Sequence, residues 1–196
     1  MAGEGEGQAG RGKGVNPRIK YAVAIMIIAV ASYVIVFNYL KSQQEPPLPG
    51  YEVYSGPGYT LLKPGAWNVR FLGNGSSIML QSPPEQGGDY RENVIIDAGN
   101  TSLNLSAYVI QDLFILDRTL PGFRLEPHPG PGTINGNEAF NSVFTARDQS
   151  NLTYKFSRSY VKKDGMIFLI TYAALNETYT KYLAELNVML DSFTIR

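Results

Sequence analysis

The feature that most constrains this chain is an uncharged, apolar run of twenty residues from Tyr21 to Leu40. About 20 consecutive apolar residues is the length that an α-helix needs to cross the hydrocarbon core of a bilayer. A secretory signal peptide has a shorter apolar region followed by a small-residue cleavage site. This run is instead followed by the polar, proline-rich stretch KSQQEPPLPG. We therefore predict an uncleaved transmembrane signal anchor over residues 19–41.

Charge around the run predicts its orientation. Residues 1–20 hold four basic and two acidic side chains, whereas Lys41 follows the run alone. Basic residues concentrate on the cytoplasmic side of a membrane helix. We expect a single-pass protein of the cell membrane, with its N-terminus in the cytoplasm and everything after the anchor outside.

The segments on either side of the anchor differ in composition from the rest of the chain. The first fourteen residues are rich in glycine and hold too little apolar surface to fold, so we predict a flexible cytoplasmic tail over residues 1–18. Three prolines in EPPLPG favour a stiff, extended stalk over residues 42–50. Residues 51–196 then form one extracytoplasmic domain.

Short strands separated by turn residues dominate the first half of this domain. They are predicted around residues 59–62, 67–71, 78–81 and 93–98, with Gly, Pro and Asn between them. We expect Trp67 to be a core side chain. One helix follows, with Ser102 as its cap. Leu103, Ala107, Ile110 and Phe114 recur at helical spacing and are expected to face the core.

The second half predicts an antiparallel meander followed by a helix. Three apolar runs cover residues 138–147, 152–162 and 166–173. Asn135-Gly136 precedes the first run and Asp164-Gly165 the last, and both dipeptides are typical of tight turns. The second is predicted to join two strands in a hairpin. Tyr179, Leu183, Leu186 and Leu190 then share one helical face, and a short strand closes the chain at 193–195. Strands in runs, with two helices, predict an α+β fold class.

Several segments of the domain resemble PsbP-like domains, a family with the Mog1/PsbP fold named for an extrinsic subunit of the photosystem II oxygen-evolving complex. The matching segments are GYTLLKPGAW (58–67), NVII (93–96), TINGNEA (133–139), KDGMIFLITY (163–172) and MLDSF (189–193). The resemblance covers residues 51–196. It implies an α/β/α sandwich with a central antiparallel sheet, here preceded by one transmembrane helix. It also implies docking onto membrane complexes or other proteins rather than enzymatic chemistry.

The composition excludes several kinds of chemistry. Without cysteine the chain has no disulfide, no thiol nucleophile and no cysteine-based zinc or iron–sulfur site. The single histidine, His128, has Glu126 as its one near carboxylate, too few ligands for a transition metal. No G-x-S-x-G elbow is present. The carboxylates of the domain's first half do not single out an acid–base pair; they are Asp89, Glu92, Asp97, Asp112 and Asp117. We expect no enzyme activity, cofactor or metal site.

The charge balance and the aromatic content indicate the kind of partner. Beyond residue 20 the chain holds 13 basic and 15 acidic residues, which argues against nucleic-acid binding. No small-molecule substrate is indicated. Aromatic side chains suit a protein-binding surface. We predict such a surface on the outer face of the 152–162 strand, with Tyr154, Phe156 and Tyr160 as its contact residues. The Pro/Gly loops around Pro83-Pro84 and residues 127–132 are the alternative surface.

Five N-x-S/T sequons follow the anchor, at Asn74, Asn100, Asn104, Asn151 and Asn176. This composition yields about one or two by chance, so five favour N-glycosylation of an exported domain. Each asparagine lies in a predicted loop or helix start, where an oligosaccharide has room.

These observations predict a membrane-anchored, extracytoplasmic docking module, an accessory subunit of a membrane or cell-envelope complex. Two alternatives stay open. Arg11-Gly12-Lys13-Gly14 before an apolar helix resembles the processing site of archaeal type IV pilin-like precursors, which would make the chain a filament subunit cleaved at Gly14. The third possibility is an extracytoplasmic enzyme of unknown reaction.

Overall fold

Eleven strands and two α-helices make up the described part of the chain in the computed structural model, which covers residues 48–73, 77–84, 90–127 and 130–196. The strands are β1 (Tyr51–Gly56), β2 (Tyr59–Pro64), β3 (Asn68–Leu72), β4 (Ser77–Gln81), β5 (Asn93–Asn100), β6 (Arg124–Leu125), β7 (Gly130–Ile134), β8 (Asn137–Arg147), β9 (Thr153–Lys163), β10 (Met166–Leu175) and β11 (Thr194–Ile195). The α-helices are α1 (Leu105–Thr119) and α2 (Leu183–Asp191), and a short 3-10 helix (Tyr179–Tyr182) precedes α2.

The predicted tail, the anchor and most of the stalk lie outside the described residues. Among the helices that are described, none has the length and apolarity needed to cross a bilayer. The predicted membrane segment over residues 19–41 therefore stays a prediction.

A large antiparallel sheet forms the middle of the domain, in the order β3-β4-β5-β10-β9-β8-β6, with β7 also paired to β8. The predicted meander is β8, β9 and β10, paired over nearly their full lengths. Its last turn, Asp164-Gly165, has positive φ at both residues (49° and 80°), as does Asn135-Gly136 between β7 and β8 (46° and 76°). Two-residue hairpin turns require this backbone conformation, so both turn predictions are confirmed.

One face of the large sheet is covered by a small sheet and by α2. The small sheet has the order β1-β2-β11. Tyr59 and Phe193 from this layer stack against each other and both contact Phe168 of β10. Leu186 and Met189 of α2 join the same buried cluster, as does Trp67, which confirms the predicted core role of the tryptophan. The α+β class is confirmed, with a layer here that combines strands and a helix.

The opposite face carries α1, and here two predictions are wrong. Asn104, not Ser102, caps the helix: its Oδ1 accepts a hydrogen bond from the Ala107 backbone N–H at 2.8 Å. The buried side of α1 contains Leu105 and Val109, whereas the predicted core residues Ile110 and Phe114 point away from the sheet. The predicted spacing does mark an apolar face, but that face is the outer one.

Candidate functional site

An ion-paired cluster joins α1 to the centre of the sheet. Asp112 of α1 accepts hydrogen bonds from Arg158 Nη1 and from the Tyr160 hydroxyl, both at 2.7 Å. The Nε of Arg158 donates to Thr171 Oγ1 on β10 at 3.0 Å. The side chains of Asp112 and Arg158 are both mostly buried, and Tyr160 is fully buried. These contacts fix the middle of α1 on the sheet.

Two tyrosines, Tyr160 within this cluster and Tyr108 beside it, have raised pKa values. Burial raises the pKa of Tyr160, and its hydrogen bond to Asp112 raises that pKa further. Burial also raises the pKa of Tyr108; the carboxylates of Asp112 and Asp97 add to this, while the Arg158 guanidinium opposes it. Both phenols stay protonated at neutral pH, and neither is poised to act as a general base.

A surface groove runs beside this cluster, between α1 and strands β5 and β10. Two depressions form it, of about 120 and 180 Å³, and Asp97 of β5 lines both. The smaller is flanked by Tyr108, and the larger is walled by Leu116 of α1 and Phe156 of β9. The groove is therefore largely apolar with a carboxylate at its centre.

The outward side of α1 carries large apolar side chains that stay largely exposed. Ile110 is 70% exposed, Phe114 54% and Ile115 47%. Leu103, just before the helix, is also exposed. We call these four residues the α1 stripe. An amphipathic helix presents polar side chains on the side opposite its core, so a stripe of this kind indicates a contact surface.

A second polar cluster fastens the start of β5 to the 3-10 helix. Glu92 is buried and accepts hydrogen bonds from Thr178 Oγ1 at 2.7 Å and from Ser82 Oγ at 3.3 Å. Burial, and then the Glu92 carboxylate, raises the pKa of Tyr90, whose hydroxyl has no hydrogen-bond partner in the described structure. These contacts tie the residues before β5 to the start of the 3-10 helix, which favours a structural role for the buried carboxylate.

The candidates for acid–base or metal chemistry are distributed across the domain. Asp89 and His128 lie outside the described residues. Glu92 is buried, Asp97 lines the groove, Asp112 holds Arg158, and Asp117 is exposed. Within the described ranges no group of three or more His, Asp or Glu side chains is placed to hold a metal ion.

Four of the five predicted glycosylation sites fall on described residues, and all four are exposed. Asn100 pairs with Met166 at the start of β10, and Asn176 directly follows the end of that strand. Asn151 lies with Asn176 along one surface depression of about 310 Å³. Asn104 is the cap of α1. A glycan on its Nδ2 leaves Oδ1 available for that capping hydrogen bond. Asn74 lies outside the described residues.

The predicted partner-binding residues on β9 do not form one exposed face. Tyr160 is buried beneath α1, so its predicted exposure is wrong. Phe156 is half-buried, stacked on Phe144 with ring centroids 4.9 Å apart, and lines the groove. Tyr154 is also half-buried and donates its hydroxyl to Asp148 at 3.3 Å. Helix α1 covers one half of this face, and alternation along β9 could not show which half.

The large antiparallel sheet with its two helices is the fold of PsbP proteins. The solution structure of cyanobacterial PsbP from Synechocystis sp. PCC 6803 is similar with a TM-score of 0.57 and 12% identity, covering 76% of this chain and 94% of that one. The structure of LpqN, involved in cell envelope biogenesis of Mycobacterium tuberculosis, gives 0.56 and 16%, covering 74% and 90%. PA94 from Pseudomonas aeruginosa gives 0.56 and 15%, covering 74% and 97%.

No family model matches this chain, and no curated protein matches it in sequence. Identities of 12 to 16% show a common fold and carry no residue role across.

Proposed function

We propose that this chain is a single-pass, membrane-anchored docking module whose extracytoplasmic domain binds a protein subunit of a membrane or cell-envelope complex through the α1 stripe. The apolar run over residues 21–40 supports the anchor. One neighbour in fold, LpqN, is involved in cell envelope biogenesis, which agrees with such a location.

The stripe is the observation that carries the proposal. Water-exposed side chains of Ile110, Phe114 and Ile115 cost solvation free energy that a partner surface would recover, at about 25 cal/mol for each Å² of apolar area buried. Arg118 lies over the Phe114 ring at 4.0 Å, which gives the surface a cationic rim. Central apolar side chains with charged residues at the margin are the usual arrangement of a protein interface.

The charges of α1 favour a protein partner over a lipid surface. Helices that lie on membranes carry Lys and Arg on their polar side. Helix α1 has two acidic residues, Asp112 and Asp117, against the single basic Arg118. Asp112 is already paired with Arg158. Anionic lipid headgroups would therefore gain little from this helix, whereas an apolar ridge or groove of another protein fits the stripe.

Site-specific photo-cross-linking in the native membrane tests the proposal. Benzoylphenylalanine replaces Phe114 in the full-length chain, and the matched control replaces Phe71 of β3, another exposed phenylalanine at 70%. We expect one reproducible protein adduct from position 114 and none of that mass from position 71. A second variant with Ile110→Ser should remove the adduct while leaving the far-ultraviolet circular dichroism unchanged.

Three results would contradict the proposal. Adducts of position 114 with lipid alone would make α1 a membrane-contacting helix. Adducts with a second copy of this chain would make the stripe a homodimer interface. Equal adducts from positions 71 and 114 would show that the stripe has no specific occupant.

A further inference from the structure

The two carboxylates beside the groove differ in what they bind. Asp112 accepts hydrogen bonds from Arg158 and Tyr160. Asp97 makes no hydrogen bond or ion pair with any of the described residues. Among the described residues that line the groove, Arg158 is the one guanidinium. The group of Asp97, Asp112 and Arg158 therefore carries one excess negative charge. A cation at Asp97 would complete the charge balance.

The side chains around Asp97 favour a ligand that carries an apolar group as well as a positive charge. Leu116, Leu120 and Phe156 line the larger depression, which suits an apolar group. Tyr108 borders the smaller depression and presents an aromatic ring next to the carboxylate. A ring beside a carboxylate attracts an ammonium or guanidinium group through both charge and cation–π interaction.

Each depression is of a size that fits one amino-acid side chain of a partner rather than a whole small-molecule ligand. Their volumes are about 120 and 180 Å³, and pockets for small ligands usually occupy about 300–1,000 Å³. Each depression has room for a single side chain. Two neighbouring side chains of one peptide segment, one basic and one apolar, match the pair.

The groove is continuous with the α1 stripe. Ile115 belongs to the stripe and is seven residues, or two helical turns, from Tyr108, so both residues lie on the same side of α1. Tyr108 borders the groove. A partner lying on Ile110 and Phe114 can therefore reach Asp97 across Ile115.

We propose that the groove between α1 and β5 is the specificity pocket of the docking surface. It receives a Lys or Arg side chain of the partner on the Asp97 carboxylate and an apolar side chain of the same segment against Leu116 and Phe156. This inference rests on the proposed function, because it assigns the chemistry of the partner that the stripe binds.

Two measurements on the full-length chain test the inference. The first is NMR titration in uncharged detergent with phenethylammonium and with phenylacetate, which share an aromatic body and carry opposite charges. Leu116 lines the larger depression and Leu169 of β10 lines the smaller one. We expect saturable shifts of their methyl signals with the ammonium compound only. The second measurement is the yield of the protein adduct from benzoylphenylalanine at position 114.

Asp97→Asn is the test variant and Asp117→Asn its matched control. Both remove one negative charge, but Asp117 is an exposed residue of α1 that lines neither depression. Asp97→Asn should weaken ammonium binding and lower the adduct yield about tenfold or more, because charge-assisted contacts at an interface contribute strongly. Asp117→Asn should change neither. Because Asp97 has no hydrogen-bond partner to lose among the described residues, its Asn variant should melt like wild type.

Each other outcome has a definite meaning. Equal binding of the ammonium and carboxylate probes, or equal effects of the two variants, overturns the inference. Ammonium binding that depends on Asp97 with an unchanged adduct yield also overturns it, because the groove is then a site for small amines. Absence of any protein adduct in the wild-type chain refutes the docking function itself, and the titration then reports separately on whether the groove prefers cations.

Discussion

Asp112→Ala is expected to destabilise the domain more than any other substitution of a charged residue on α1. The substitution removes the acceptor of two 2.7 Å hydrogen bonds and leaves Arg158 without its ion-pair partner. Tyr160 is fully buried, so its hydroxyl cannot replace the lost bond with bulk water. The prediction tests whether this cluster holds α1 in place.

The size of the expected loss in stability depends on how deeply the ion pair is buried and on which contacts Arg158 retains. Removing one member of a fully buried ion pair costs about 3–5 kcal/mol. Here Asp112 and Arg158 keep 18% and 15% of their side-chain exposure, and Arg158 retains its hydrogen bond to Thr171. We therefore expect a loss of about 2–4 kcal/mol in the free energy of unfolding.

Urea denaturation of the full-length chain in uncharged detergent measures this loss. Trp67, the only tryptophan of the sequence, is buried and reports unfolding by fluorescence. With a slope of about 2 kcal/mol per molar urea, the midpoint should fall by about 1–2 M. Asp117→Ala, on the same helix but exposed, should change the stability by less than about 0.5 kcal/mol.

A double-mutant cycle with Tyr160→Phe makes the test specific. In the wild-type chain Tyr160→Phe should cost about 1–2 kcal/mol, since it removes a hydrogen bond to a carboxylate. In the Asp112→Ala background the same change should cost almost nothing, because the hydroxyl has already lost that acceptor. Additive losses, or an Asp112→Ala variant as stable as Asp117→Ala, would refute the reasoning.

Further tests address the core of the domain, the cap of α1, the buried tyrosines, glycosylation and membrane topology. Leu105→Ala should cost about 2–5 kcal/mol of unfolding free energy, whereas Phe114→Ser on the stripe should leave urea midpoints nearly unchanged. Asn104→Ala removes the cap of α1 and should cost about 1 kcal/mol by the same assay. Burial raises the pKa of Tyr160 and Tyr172. Their contribution to stability is therefore complete below about pH 10, and above it the free energy of unfolding should fall by about 1.4 kcal/mol per pH unit for each tyrosine, because the unfolded chain loses the proton first. Denaturation at a series of pH values, with tyrosinate absorbance, checks this. Deglycosylation should lower the mass of the native protein, and an unmodified mass would contradict glycosylation. Protease added to intact cells should remove the domain but spare the tail, and a protected domain would contradict the topology.

Turn dipeptides and the alternation of apolar residues predicted most of the strands and turns of the fold. Asn-Gly and Asp-Gly dipeptides predict tight turns because only a few residue types tolerate positive φ at both turn positions, and the structure has that geometry at both sites. The missed elements are β1, β6 and β7. Strand β6 has two residues, and β7 contains two glycines and a proline, so neither has the apolar alternation by which strands are recognised.

The candidate site was predicted less well, for a reason that is visible on α1. This helix is apolar on two opposite sides, one with Leu105 and Val109 and one with Ile110 and Phe114. Periodicity finds an apolar face but cannot say which of two such faces meets the sheet. The sequence also could not show that the Asp97 carboxylate lacks an ion-pair partner among the described residues, because pairing depends on tertiary neighbours. The polar character of Asp112 on the Leu105 side was the one available signal.

The same helix connects stability to the proposed function. A helix that is apolar on two sides lacks the single preferred orientation of an amphipathic helix, since burying either side against the sheet is favourable. The ion pair of Asp112 with Arg158 removes this ambiguity, because rotating α1 to bury Phe114 would carry Asp112 away from Arg158 and leave the guanidinium unpaired on the sheet. The cluster therefore fixes which apolar side faces outward. A binding surface held in one orientation before the partner arrives loses less conformational entropy on association. Asp112→Ala should consequently weaken partner binding as well as folding, even though Asp112 does not belong to the stripe.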